Sequence, residues 1–209
     1  MRIPIAKEGY PFILIAAALT GISQMFAPCW ITIVFAILLV FVISFFRDPE
    51  RTIPDDPKVI VSPGDGKIVE ITTEKDPFMG KTFTRVSVFL SVFNVHVNRV
   101  PIGGKIEKIQ YNKGKFLAAF NKKASMENEQ NIMLIRNGEV EVLVKQIAGL
   151  IARRIVCWPK EGDEYKLGQR YGLIRFGSRM DVLVPQSTRL TVSLGDHVKG
   201  GISPIGYLE

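Results

Sequence analysis

Cysteine and histidine are nearly absent from this 209-residue chain, which has two of each. Cys29 and Cys157 sit in unrelated contexts, so neither a disulfide framework nor a metal-binding spacing is present, and a reducing compartment is the simpler setting. No G-x-S-x-G elbow occurs, which argues against a conventional serine hydrolase. Charge is missing altogether from one long interval, between Glu8 and Arg47. Nothing resembles a nucleic-acid motif, although the net charge is +7. That positive balance attracts polyanions, and the apolar interval favours an anionic lipid surface over nucleic acid.

The uncharged interval contains two apolar runs, 11–26 and 30–46, separated by Ala27, Pro28 and Cys29. Each is about as long as a short membrane helix, for which roughly 17–25 residues are needed. Pro28 breaks the continuity and predicts a helical hairpin over 1–46. A secretory signal peptide fits less well, because no small-x-small site follows the first run. Arg2 and Lys7 precede the hairpin and Arg47 and Arg51 follow it, so the positive-inside bias places both ends, and the rest of the chain, at the cytoplasmic face of the cell membrane.

Residues 47–57, RDPERTIPDDP, read as a polar, proline-rich linker. Beyond it come short apolar stretches punctuated by glycine and proline, predicting strands over 58–62, 66–73, 82–93, 104–111, 131–136, 139–147, 153–158, 171–176, 180–185 and 188–193. Only 115–129 reads as partly helical. Many short strands without βαβ alternation predict a mainly β (α+β) fold, an antiparallel barrel or sandwich. A weak repeat relates 161–174 to 194–208: each has a Gly-Asp pair, a glycine six positions after the first, and another four or five further on. With 62–71 these turns suggest lipoyl or hammerhead-like features, though no Met-Lys tip of a carrier domain is present.

Three segments hold candidate chemistry, each with a plainer structural reading beside it. Asp65 lies between glycines in SPGDG, where a turn aspartate is common. His96 lies on the apolar stretch 89–101, where a packed core histidine is common. Gly177 and Ser178 interrupt two strand-like runs, as a turn would. A Gly-Ser bond between strands has another fate, however. The serine hydroxyl can attack the preceding carbonyl, which the small glycine leaves open, and the resulting ester can eliminate to dehydroalanine. Hydrolysis then gives a pyruvoyl group, an electron sink made from the chain itself.

Together, FFRDPERTIP, SPGDGKI, FLSVFNVHVNR, GKFLAAFNKKASMENEQN and RFGSRMDVLVP, in this order behind an apolar hairpin, resemble the short, membrane-associated phosphatidylserine decarboxylases. The resemblance implies self-cleavage between Gly177 and Ser178, giving a β chain (1–177) and an α chain (178–209) that stay together as a heterodimer within a 58–209 decarboxylase domain. A higher homo-oligomer is compatible with it. Ser178 becomes the pyruvoyl cofactor, no metal is implied, and the partner is phosphatidylserine in the membrane, converted to phosphatidylethanolamine and CO2. For the reaction so implied, His96 is the choice for proton transfer or substrate orientation, Asp65 for assisting self-cleavage or orienting a donor, and Arg99 or Lys115 for holding the headgroup phosphate or carboxylate. Longer members of the family carry a second histidine where Arg99 stands, and read Leu-Gly-Ser-Thr where this chain has Phe-Gly-Ser-Arg. A protonated arginine is no ordinary base, so the base for self-cleavage stays open. Alternatives are an archaetidylserine or soluble amino-acid decarboxylase, and a non-catalytic, membrane-tethered lipoyl-like module.

Overall fold

The computed structural model describes residues 3–115, 127–149, 154–175 and 178–209. The chain divides into two compact units, Met1–Glu50 and Arg51–Glu209.

The first unit is a pair of helices. A short 3-10 turn, Lys7–Gly9, leads into α1 (Tyr10–Phe26), and α2 spans Cys29–Phe45. Pro28 sets the break, because its ring disfavours helical geometry at the preceding residue; Ala27 is accordingly extended, with φ −120° and ψ 158°. Polar groups inside the helices bond within their own backbone: Thr20 Oγ1 donates to Ala16 O and Ser23 Oγ to Thr20 O. This is the arrangement an apolar solvent requires. Large apolar side chains such as Leu14, Met25, Phe26, Trp30 and Val40 point outward and are more than half exposed. Lys7–Phe26 is long and apolar enough to cross a membrane, and Cys29–Phe45 is a shorter apolar helix.

The second unit is antiparallel β. Its strands are β1 (Val59–Val61), β2 (Gly66–Lys75), β3 (Thr82–Leu90), β4 (Val97–Arg99), β5 (Gly104–Asn112), β6 (Gln130–Asn137) and β7 (Val140–Ala148), followed by β8 (Ile155–Cys157), β9 (Glu164–Tyr165), β10 (Arg170–Ile174), β11 (Ser178–Pro185), β12 (Arg189–Leu190), β13 (His197–Val198) and β14 (Pro204–Tyr207). Eight form one sheet in the order β13-β2-β3-β11-β7-β6-β5-β9, curled into a half-barrel. Two three-stranded sheets, β4-β10-β8 and β1-β14-β12, complete the unit.

Side chains alternate across the large sheet, as the pleat dictates. Met180, Val182 and Val184 of β11 join Val86, Val88 and Leu90 of β3 and Val142 and Val144 of β7 in the main core, with Tyr171, Ile174 and Val100 packed among them. The opposite face carries a second, smaller core of Phe83, Ile132, Leu134, Leu143 and Leu183, covered by Phe78 and Met79 from the β2–β3 turn.

The sequence repeat is also a structural one. Gly162 and Gly195 have φ 95° and 94°, and Gly168 and Gly201 have φ 68° and 77°; these left-handed conformations favour glycine. Gly162 N–H donates to Ile106 O and Gly195 N–H to Ile68 O, while Ile106 N–H and Ile68 N–H donate back to Asp163 O and Asp196 O. In matching fashion β9 pairs β5 and β13 pairs β2.

Three sequence expectations change. Ser178 and Arg179 are not turn residues but the first rungs of β11, with partners on both sides. The stretch 82–93 ends as a strand at Leu90, because the Asn94 carboxamide oxygen accepts from both the N–H and the hydroxyl of Ser91 (2.9 and 2.7 Å) and turns the chain. Within 188–193, only Arg189–Leu190 is a strand. The partly helical reading of 115–129 falls, for 116–126, outside the described residues.

Candidate active site around Ser178

β11 is an inner strand of the eight-stranded sheet, and Ser178 is its first residue. Its Cα partners are Leu90 on β3 and Ala148 on β7. By alternation from Met180 its side chain belongs to the main-core face. The residue is fully buried, and among the described residues its Oγ has no hydrogen-bond partner. A buried hydroxyl left unpaired costs about 1–3 kcal/mol and is a common mark of a functional group. Gly177, the other half of the expected cleavage site, lies outside the described residues.

His96 is brought towards the same end of the fold. The segment 91–96 leaves β3 just after Leu90, the partner of Ser178, and enters β4, where Val97 pairs Leu173 of β10. β10 in turn runs towards Ser178. His96 is buried, with Nδ1 3.0 Å from the Asn94 carbonyl oxygen. A carbonyl only accepts, so Nδ1 carries the hydrogen and, in the neutral ring, Nε2 is the basic nitrogen.

Asp65 is engaged elsewhere. Its carboxylate takes a two-pronged pair from Arg51 (2.6 and 2.8 Å) and the Gly200 N–H (2.8 Å), and Arg51 also donates to Gly200 O. These contacts fix the 62–66 loop, whose Gly64 backs onto Met180 and Leu90, next to the start of β11. Arg99 is buried and gives Nη1 to Gly168 O at 3.0 Å, while its N–H bonds Pro63 O. Lys115 is exposed, 3.0 Å from Glu127. The structure thus gathers Ser178, the His96 segment and the Asp65 loop about the start of β11, and leaves Lys115 on the surface.

The sequence reading missed two polar groups near this strand. Gln146 of β7 donates to Asn98 Oδ1 (2.8 Å) and accepts from Asn131 Nδ2 (3.2 Å), tying β4, β7 and β6 together in the interior. Cys157 bonds Asn131; burial pushes its thiol up to about 11, with the Asn131 bond a smaller opposing influence, so it is no nucleophile near neutral pH.

The other group is ionic and lies on the opposite face. Arg179 is 1% exposed, and donates Nε to Asp181 (2.8 Å) and Nη2 to Glu70 (2.5 Å) and Ser87 Oγ (2.6 Å). Burial works against its charge, but Asp181 and Glu70 overcome that and hold the guanidinium above its ordinary range. Arg85 bridges Glu70 and Glu74 (3.1 and 2.9 Å), and Lys145 pairs Asp76. A cleft of about 670 Å³ opens on this face, lined by Arg85, Lys145, Asp76 and Phe78 among others; Ser178 is not part of it.

The chain joins an apolar helical hairpin, one helix of which is long enough to cross a membrane, to an antiparallel β unit in which an inner strand of the large sheet begins at a fully buried serine. Residues 38–206 match the family model for phosphatidylserine decarboxylase. The phosphatidylserine decarboxylase proenzyme of Desulfotalea psychrophila is 46% identical over 99% of this chain and 98% of its own length. That of Syntrophus aciditrophicus is 48% identical over 97% and 96%, and that of Geotalea uraniireducens 44% over 98% and 97%. The chain belongs to the phosphatidylserine decarboxylase family, and is therefore a decarboxylase of phospholipid metabolism whose relatives are made as proenzymes.

Proposed function

We propose that the protein cleaves itself between Gly177 and Ser178, turns Ser178 into a pyruvoyl group, and decarboxylates phosphatidylserine to phosphatidylethanolamine at the cytoplasmic face of the membrane. The observation that carries this reading is the buried, unpartnered Ser178 Oγ at the head of the central strand. In the first step that oxygen attacks the carbonyl carbon of residue 177, and the amide becomes an ester. Loss of the Ser178 α-hydrogen with departure of the ester oxygen leaves a carboxylate on Gly177 and dehydroalanine at 178. Water then displaces the nitrogen as ammonia.

The α chain stays attached because every strand it contains pairs with the β chain or with its own neighbours: β11 aligns eight residues with β3 and six with β7, β13 pairs β2, and β14 pairs β1. The matched turns at 162–168 and 195–201 support a hammerhead-like reading of this frame.

The pyruvoyl carbonyl supplies an electron sink for the pair left behind when the substrate carboxylate departs as CO2. The chain's own residues do the rest. His96, oriented by the Nδ1–H bond to Asn94, takes a proton from solvent on Nε2 and passes it to the carbon that has lost the carboxylate. Asp65 acts as a positioning residue, through the loop that Arg51 and Gly200 lock against β11. Arg99 holds the 168 turn against the same loop, and Lys115 at the surface is open to a headgroup phosphate in exchange for Glu127. The outward apolar side chains of α1 and α2 support residence in a bilayer.

Incubation with phosphatidylserine vesicles tests the reading: wild-type protein should release CO2 and phosphatidylethanolamine in equal amounts, and Ser178→Ala neither. Turnover by Ser178→Ala would overturn it. Diacyl and ether-linked substrates run side by side separate phosphatidylserine from archaetidylserine.

A further inference from the structure

The buried Ser178 raises a question of access, since its substrate is held in a bilayer. We propose that the rim beside Ser178, formed by Phe93 and Arg154, seats on the phospholipid surface and delivers the headgroup to the site. This rests on the function proposed above and names the surface through which that site is fed.

The strand register places the rim. β3 ends at Leu90, the partner of Ser178, and the next four residues form a tight turn: Asn94 N–H donates to Ser91 O, and the Asn94 side chain accepts twice from Ser91. Phe93 sits at the tip and is 74% exposed, the most exposed large apolar side chain of the β unit among the described residues. The carbonyl of Asn94 then accepts from His96 Nδ1, so one rigid turn presents the phenyl ring outward and orients the imidazole inward.

A cation lies at the same end. β10 pairs β4 on one side, with Leu173 opposite Val97, and β8 on the other, with Ile174 opposite Ile155. Arg175 N–H bonds Arg154 O at 3.3 Å, so the exposed Arg154 stands at the end of the small sheet from which the chain runs on to Ser178. An aromatic ring and a cation at the same end of the small sheet suit the bilayer interface: the ring settles at headgroup level, and arginine is drawn to phosphate and carboxylate. The phosphatidylserine headgroup offers both anions. A ring that is 74% exposed is placed to meet a membrane, where it anchors the entrance to the site.

The experiment uses the full-length enzyme, with Phe93→Ser and Arg154→Glu assayed on phosphatidylserine in phosphatidylcholine vesicles and on a water-soluble short-chain phosphatidylserine. On vesicles both variants should lose on the order of tenfold in rate, through a higher apparent KM in bilayer lipid. The soluble substrate should be turned over as by wild type. In parallel, Phe93→Trp should gain fluorescence that brominated lipid in the vesicle quenches. Equal losses on both substrates, unchanged rates on both, or an unquenched Trp at 93 would each overturn the proposal. A wild-type enzyme inactive on both substrates would refute the function proposed above, and the Trp quenching would still decide the contact.

Discussion

Arg179→Met is the substitution that most sharply tests how the central strand is held. The guanidinium is enclosed by Asp181, Glu70 and Ser87, and Asp181 is fully buried. Removing the cation takes the 2.8 Å partner from the Asp181 carboxylate, which keeps Arg85 at 4.0 Å, while Glu70 keeps Arg85 at 3.1 Å. Breaking a buried pair in this way costs about 3–5 kcal/mol. For a domain of this size each kcal/mol lowers Tm by roughly 2–4 °C, so a fall of roughly 6–20 °C is expected. The measurement is a thermal melt in a Ser178→Ala background, where every molecule is a single uncut chain. Arg179→Met with Asp181→Leu should recover part of the loss, because both buried charges then leave together. A fall of less than about 2 °C for the single variant would refute the view that this ion pair pins β11.

Three further predictions concern neighbouring groups. Cys157 has its thiol raised by burial from 9.0 to about 11. The unfolded chain therefore deprotonates first, and the stability this cysteine contributes, full below about pH 9, should be lost as pH rises to about 11; urea midpoints of wild type and Cys157→Ala across that window check it, and parallel curves would contradict it. His96→Ala should cost processed enzyme about 10²- to 10⁴-fold in decarboxylation while cleavage proceeds, whereas Asp65→Ala, by freeing the 62–66 loop, should instead accumulate uncut chain on denaturing gels. Near-normal turnover by cleaved His96→Ala would return His96 to a packing role.

Much of the fold was legible because its signals are local. An uncharged interval broken by Pro28 specifies two helices whatever lies beyond it, and glycines at matched offsets in 161–174 and 194–208 marked turns that need positive φ. Strand ends depended on side chains the pattern does not weigh: Asn94 captures Ser91 and stops β3 short. The short strands β9, β12, β13 and β14 have too few residues to show a period. Ser178 was singled out for its chemistry but misplaced as structure, since a Gly-Ser-Arg triplet reads as a turn, whereas Ser178 and Arg179 carry ladder partners on both sides. The buried charges were hidden for a related reason. Alternation assigns Arg85, Arg179, Asp181 and Lys145 to a second face that a polar pattern marks as solvated. Only the folded chain, with Phe78 and Met79 laid over that face, shows that it is covered.

Self-processing at Ser178 is the central claim, and the mass of the purified, denatured wild-type protein tests it most directly. Two species are expected, residues 1–177 and residues 178–209, the smaller carrying a pyruvoyl group in place of its N-terminal serine, and Ser178→Ala should give one full-length mass. A single full-length mass from wild-type protein that is nonetheless active as a decarboxylase would contradict it.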